Sequence, residues 1–127
     1  MGDMGCFATS VQIENAERRG ERLHLPNVLV DTGSEFTWVP GGLLREFGIR
    51  RERTQRFVVA DGRVLVRDIG FAIVHVAGVS TADDVVFGEP GDLVLLGARS
   101  LEGLNLRVDP QRKTLVPAGP IVTARVA

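Results

Sequence analysis

The chain has 127 residues, 44% hydrophobic and 24% charged, with 15 Lys and Arg against 16 Asp and Glu and a formal net charge of −1. That length sets a single domain able to remove roughly two-thirds of its unfolded surface from water. The charge balance excludes the basic field that binds nucleic acid through phosphates. No apolar stretch approaches the roughly 20 residues of a membrane span, and no charged start leads into an apolar run. A cytoplasmic location without membrane contact is the expectation.

Fifteen glycines, six prolines and many short β-branched runs point to an all-β domain with frequent turns. From Gly5 to Glu14, Phe7, Thr9, Val11 and Ile13 alternate with polar or small residues, the period of a strand with one buried face. Cys6, the single cysteine, falls in this stretch; it allows no internal disulfide and is expected as a half-buried strand residue. Asn15 to Gly20 is a polar connection, and a second strand runs from about Leu23 into Val30. Asp31-Thr32-Gly33-Ser34 follows the apolar run Val28-Leu29-Val30 and occurs once. Phe36 to Val39 resumes extended structure, Pro40-Gly41-Gly42 breaks it, and Leu43 to Phe47 is at most a short helical turn closed by Gly48.

Arg50 to Arg56 is expected as a solvated edge. A hairpin follows: Phe57 to Ala60, then Asp61-Gly62 as a two-residue type I′ turn, then Arg63 to Val66. Ile69 to Val76 continues as strand, Gly78 to Asp84 is expected as a loop, and Val85-Val86-Phe87 is a further strand. Asp83 and Asp84 point opposite ways on an extended chain, which argues for solvation over a cation site. Glu89 to Asp92 is a turn, and Leu93 to Leu96 is a buried strand stopping at Gly97. Ala98 to Leu104 has helical composition. Leu106-Arg107-Val108 and Thr114-Leu115-Val116 make a last hairpin, and the tail from Ile121 to Val126 is a candidate strand for pairing with a second chain. His24 and His75 sit among alternating apolar residues with no second ligand at metal spacing, so they are expected to be structural, with no metal and no cofactor. Trp38, taken alone, is expected in the core.

The segment Val28 to Pro40, with Asp31-Thr32-Gly33-Ser34 followed by Trp38-Val39-Pro40, resembles the first active-site loop of aspartic proteases. The length and the single motif resemble the retropepsins, the one-domain retroviral-type enzymes. Leu95-Leu96-Gly97 before a short helix is similar to that family's apolar-apolar-Gly element, which crosses beneath the catalytic loop. The resemblance implies an all-β closed barrel with a flap hairpin and one short C-terminal helix, spanning residues 1–127 as one half-site subunit. It also implies a homodimeric aspartic endopeptidase acting on extended peptides, with Asp31 from each subunit as the catalytic pair. Thr32 would bond across the dyad, Gly33 would present its N–H to the carboxylate, and Ser34 would donate to the outer oxygen of Asp31. Glu35, Ala60, Asp61, Gly62 and Leu96 are the expected substrate contacts, with Val59 and Leu44 as further pocket walls. Ala98 intervenes before Arg99 where the family commonly has Arg directly after the Gly, which puts the family's Arg–acid link in question. The other reading is a non-catalytic module of the same fold that dimerises or binds peptides.

Overall fold

A computed structural model describes residues 7–124. Cys6 and the last part of the expected tail strand lie outside them, and residues 121–124 are not in a strand. Nine strands and two helices follow one another in the described residues: β1 (Phe7–Glu14), β2 (Arg22–Val30), β3 (Thr37–Pro40), α1 (Gly41–Glu46), β4 (Arg53–Val58), β5 (Val64–Val76), β6 (Val79–Gly88), β7 (Leu95–Leu96), α2 (Ala98–Leu104), β8 (Leu106–Asp109) and β9 (Thr114–Pro117). The protein is thus mostly β with two short helices. Seven strands form one sheet in the order β1-β2-β7-β3-β6-β5-β4, and β1 also pairs with β5, so the pairings lead back to β1. β8 and β9 form a separate two-stranded sheet.

Period two does the sorting. On β1 Val11 and Ile13 are buried, on β2 Leu23, Leu25, Val28 and Val30, and on β5 Ala72, Val74 and Val76. Each such side chain contributes about 2 kcal/mol by leaving water. The strands meet on a core that is almost wholly aliphatic, with Phe87 its one aromatic member. Leu101 and Leu104 of α2 close one end of it.

Several sequence expectations change. The connection at residues 60–62 is a three-residue loop, not a type I′ turn: Val59 N–H donates to Arg63 O (3.0 Å) and Gly62 N–H to Val59 O (2.8 Å). Only Gly62 there has a positive φ (+89°), while Asp61 keeps a negative one and accepts Arg63 N–H on its carboxylate. A type I turn followed by a glycine in the left-handed region serves equally well. Second, the expected loop from Gly78 to Asp84 is strand β6. Its tight turn is Ala77-Gly78, with φ of 51° and 81° and Val76 opposite Val79. Alanine is a poor advertisement for that conformation, so the sequence hides the hairpin. Third, only Leu95 and Leu96 of the expected strand pair in the sheet, and Leu93 stays 65% exposed. The short helical turn expected from Leu43 to Phe47 is α1, which starts earlier, at Gly41.

Two polar clusters fasten the frame. Glu14, only 2% exposed, accepts from Gly20 N–H (2.6 Å) and lies 2.7 Å from His75 Nε2 and 3.0 Å from Arg19 Nε. The Gly20 hydrogen bond first, then His75, lowers its pKa from 4.5 to about 2. Arg67 on β5 grips Asp92 with two parallel bonds, Nε to Oδ2 at 2.7 Å and Nη2 to Oδ1 at 3.0 Å. Hydrogen bonding to Arg67 lowers the Asp92 pKa, and the same bond raises that of Arg67. This pair ties β5 to the 89–92 turn that leads into Leu93.

Candidate active site

The position of the Asp31 loop follows from topology. β2 and β3 are consecutive in the chain, yet β7 lies between them in the sheet. Residues 31–36 must therefore leave at the end of β2 and pass over the end of β7 to enter β3. β7 pairs in parallel with β2 (Val30 opposite Leu96), and Asp31 N–H donates to Leu96 O at 3.0 Å. Past Leu96 the chain turns under the loop, bonding once to the first residue of β3 and twice more to the loop itself. Gly97 N–H donates to Thr37 Oγ1 (3.0 Å), Ala98 N–H to Ser34 O (2.7 Å) and Arg99 N–H to Glu35 O (3.0 Å). The backbones come so close that a Cβ on Gly97 would sit 2.4 Å from Phe36 O.

A buried hydroxyl relay holds the crossing from below. Thr37 and Ser100 are 1% and 0% exposed, their hydroxyls 2.6 Å apart, and Ser100 Oγ donates to Asp83 Oδ2 at 2.8 Å. The carboxylate can only accept, so Ser100 gives its proton to Asp83, and Thr37 in turn donates to Ser100. Thr37 is left to accept from Gly97. Every member is satisfied, and the relay joins β3, α2 and β6 beneath the loop. The sequence gives no sign of it, because none of its members looks unusual in isolation.

Above this support Asp31 is half-buried, and its Oδ1 accepts Gly33 N–H at 2.9 Å. Thr32 is exposed. Ser34 does not donate to Asp31: its hydroxyl goes to Phe36 O at 2.9 Å, closing a local turn. Glu35 is exposed and makes no ion pair among the described residues. Arg99, the candidate partner for it, instead reaches Asp84 Oδ2 (3.7 Å) and lies 4.8 Å over the Phe36 ring. Its ion pair is therefore with strand β6 and not with the loop.

Asp31 opens onto a cleft of about 650 Å³. Gly33, Ser34 and Glu35 line it on the loop side; Phe36, Trp38, Leu93 and Leu95 form a wall; residues 55–60 of the hairpin arm face them. Val59 and Ala60 are among the residues that line the cleft. Asp61 and Gly62 sit at the tip beyond its lining, with Asp61 paired to Arg63 at 2.7 Å. Leu96 and Leu44 are corrections: both are 0% exposed in the core and neither lines this cleft. Register decides this, since Leu96 pairs beside Val30 and turns inward while Leu95 turns to the cleft. Trp38 is a correction too, because the inward residues of β3 are Thr37 and Val39. Phe57, also unforeseen, stands 5.0 Å from Trp38 and 5.6 Å from Phe36, the latter edge to face.

No family model and no curated protein matches the chain. Among solved structures it is similar to the solution structure of the Simian Foamy Virus (mac) protease, at 21% identity and a TM-score of 0.50, over 75% of this chain and 91% of that one. At that identity the likeness establishes the fold, which is that of a retroviral aspartic protease.

Proposed function

We propose that the chain is an aspartic endopeptidase that works as a homodimer and hydrolyses peptide bonds in extended segments, without metal or cofactor. The observation that carries this reading is one acid on a rigidly bonded loop, half-buried and facing a peptide-sized cleft, with no second carboxylate bonded to it among the described residues. Water attacks an amide only if one group removes its proton while another polarises the carbonyl, and a single carboxylate cannot do both at once. Two copies of Asp31 at close range would share one proton, as the paired carboxylates of aspartic proteases do, because like charges so near cannot both ionise. The shared proton belongs to the pair.

In the reaction the ionised Asp31 takes a proton from water, and the hydroxide adds to the carbonyl carbon. The protonated Asp31 donates to the carbonyl oxygen, giving a neutral diol. The Asp31 that took the water's proton then gives it to the amide nitrogen while the other, now ionised, Asp31 takes a proton from one diol hydroxyl; the C–N bond breaks, the products are an acid and an amine, and the pair again holds one proton. Gly33 N–H bonds to Oδ1 and so fixes the orientation of the carboxyl group. Exposed Thr32 is free to bond to the partner loop, and the hairpin offers main chain to an extended peptide. Ser34 supports the loop through Phe36 rather than through the acid. Glu35, Ala60, Asp61 and Gly62 remain proposed substrate contacts, the last two on closure of the hairpin tip.

The test is hydrolysis of an unfolded protein substrate over acidic to neutral pH, with and without pepstatin, beside Asp31→Asn. Cleavage should stop in the variant and with pepstatin. Specific activity should also fall on dilution as light scattering shows the dimer dissociating. Cleavage that persists in Asp31→Asn refutes the mechanism, and undiminished activity in a strict monomer refutes the shared site.

A further inference from the structure

Three of the chain's seven aromatic residues (six Phe, one Trp, no Tyr) meet at the cleft: Phe36, Trp38 and Phe57. The core uses aliphatic side chains and a single phenylalanine, so these rings were not needed to fill the interior. All three are half-buried, and each therefore keeps surface toward the cleft. We infer that they form a recognition wall selecting a planar aromatic side chain of the bound peptide, with Phe57 setting the fit. The inference deepens the proposed function and rests on it for the identity of the ligand as a peptide.

The wall is held in place from both sides. Phe57 meets Phe36 at 88° and Trp38 at 55°, tilted arrangements that attract through the ring quadrupoles. The Arg99 guanidinium lies over Phe36, and Arg99 shares Asp84 with Arg53, whose Nη2 is 3.2 Å from Oδ2. Arg53 and Phe57 lie on the same strand, β4. One end of that strand is thus fixed to the wall by charge and the other by ring contact. Because the rings are already ordered, a ligand ring entering beside them gives up only its own freedom. Flexible aliphatic side chains gain the same burial but not the ring-to-ring geometry. Leu93 and Leu95 extend the wall with apolar surface, so the difference between ligands comes from the rings.

Trp38 is the chain's one tryptophan and no tyrosine is present, so intrinsic fluorescence reports on this wall directly. The full chain carrying Asp31→Asn is titrated with ten-residue unstructured peptides that differ only in a central Phe or Leu, with Trp38 emission followed. The Phe peptide should bind about tenfold more tightly and shift the emission. Adding Phe57→Leu should bring the two affinities within about twofold, and Phe57→Tyr should restore the preference. Equal binding of both peptides, no binding of either, or a preference that survives Phe57→Leu overturns the inference. Cleavage of the same peptides by the unsubstituted chain separates the two proposals. Cleavage without aromatic preference refutes the wall and leaves the protease; aromatic-selective binding without cleavage refutes the protease and supports the wall.

Discussion

Replacing Gly97 with alanine adds one carbon where the chain passes beneath the Asp31 loop, and the structure allows its cost to be worked out. The backbone there, φ −95° and ψ 175°, is open to any residue, so no conformational strain is involved. The whole cost is steric. The new Cβ would lie 2.4 Å from Phe36 O, 2.6 Å from Phe36 C and 2.9 Å from Glu35 O, all backbone atoms that cannot rotate away. Relief needs a separation of about 1 Å, which stretches Ala98 N–H to Ser34 O and Arg99 N–H to Glu35 O. Overpacking costs about 2 kcal/mol and weakening two hydrogen bonds about 1 kcal/mol more. A total near 3 kcal/mol lowers Tm by about 12 °C for a chain of this size. The control is Gly42→Ala, with nothing within 4 Å of the added carbon and a place in α1, which should raise stability by about 0.5 kcal/mol. Thermal melts by circular dichroism at one fixed protein concentration compare the three. A Gly97→Ala protein within about 1 kcal/mol of the parent would show that the loop and β7 are not in close contact, and the account of how Asp31 is positioned would fail with it.

Other consequences are as definite. Ser100→Ala leaves the Thr37 hydroxyl without its acceptor at a fully buried site, and urea unfolding should show a loss of about 2 kcal/mol with an unchanged m-value. Asp92→Asn breaks the two-bond grip on Arg67, whose side chain is 12% exposed, and should cost about 3 kcal/mol by the same measurement. Glu14 has a folded pKa of about 2 against 4.5, so its stabilisation is complete above about pH 4.5 and is lost as pH falls toward 2. In Glu14→Gln the stability should accordingly fall less steeply across that window, and an unchanged slope would contradict the cluster. Asp31→Asn should leave Tm within about 2 °C of the parent, because its carboxylate supports only one exposed loop contact, while abolishing peptide cleavage.

What the sequence made legible was local. The Asp31 loop announces itself through Val28-Leu29-Val30 and Gly33, and α2 through its helical composition with Leu101 and Leu104 on one face; the left-handed Asn105 that ends it was not foreseen. Parity was legible only on long strands. Over the eight residues of β1 the alternation fixes which face is buried, but β7 has two residues, and nothing in Leu95-Leu96 says which turns inward. Pairing with Val30 settles it, a fact of tertiary contact. The same holds for β3, where Thr37 takes an inward position that composition would assign to Trp38. The reason lies 63 residues away in Ser100, and in Asp83, 17 residues before Ser100, which accepts from it. Polar residues that satisfy one another in the interior look like surface when each is read alone.

The distribution of fixed contacts along the hairpin determines which part of it can move. One arm is held at Arg53 through Asp84 and at Phe57 through Phe36 and Trp38. The returning arm is held at Arg67 through Asp92. Beyond these points the strands pair only with each other, and Val58 and Val64 are 75% and 46% exposed. Local opening is easiest where few buried contacts are lost, so the segment from Val58 to Val64 should exchange its amide hydrogens well before β4 and β5 as a whole. Phe57, opposite Leu65, is the last anchored pair and therefore the pivot. Substituting it should shift the boundary of fast exchange back toward Arg53, whereas substituting Val58 should leave that boundary unmoved; identical exchange profiles in the two variants would place the pivot elsewhere.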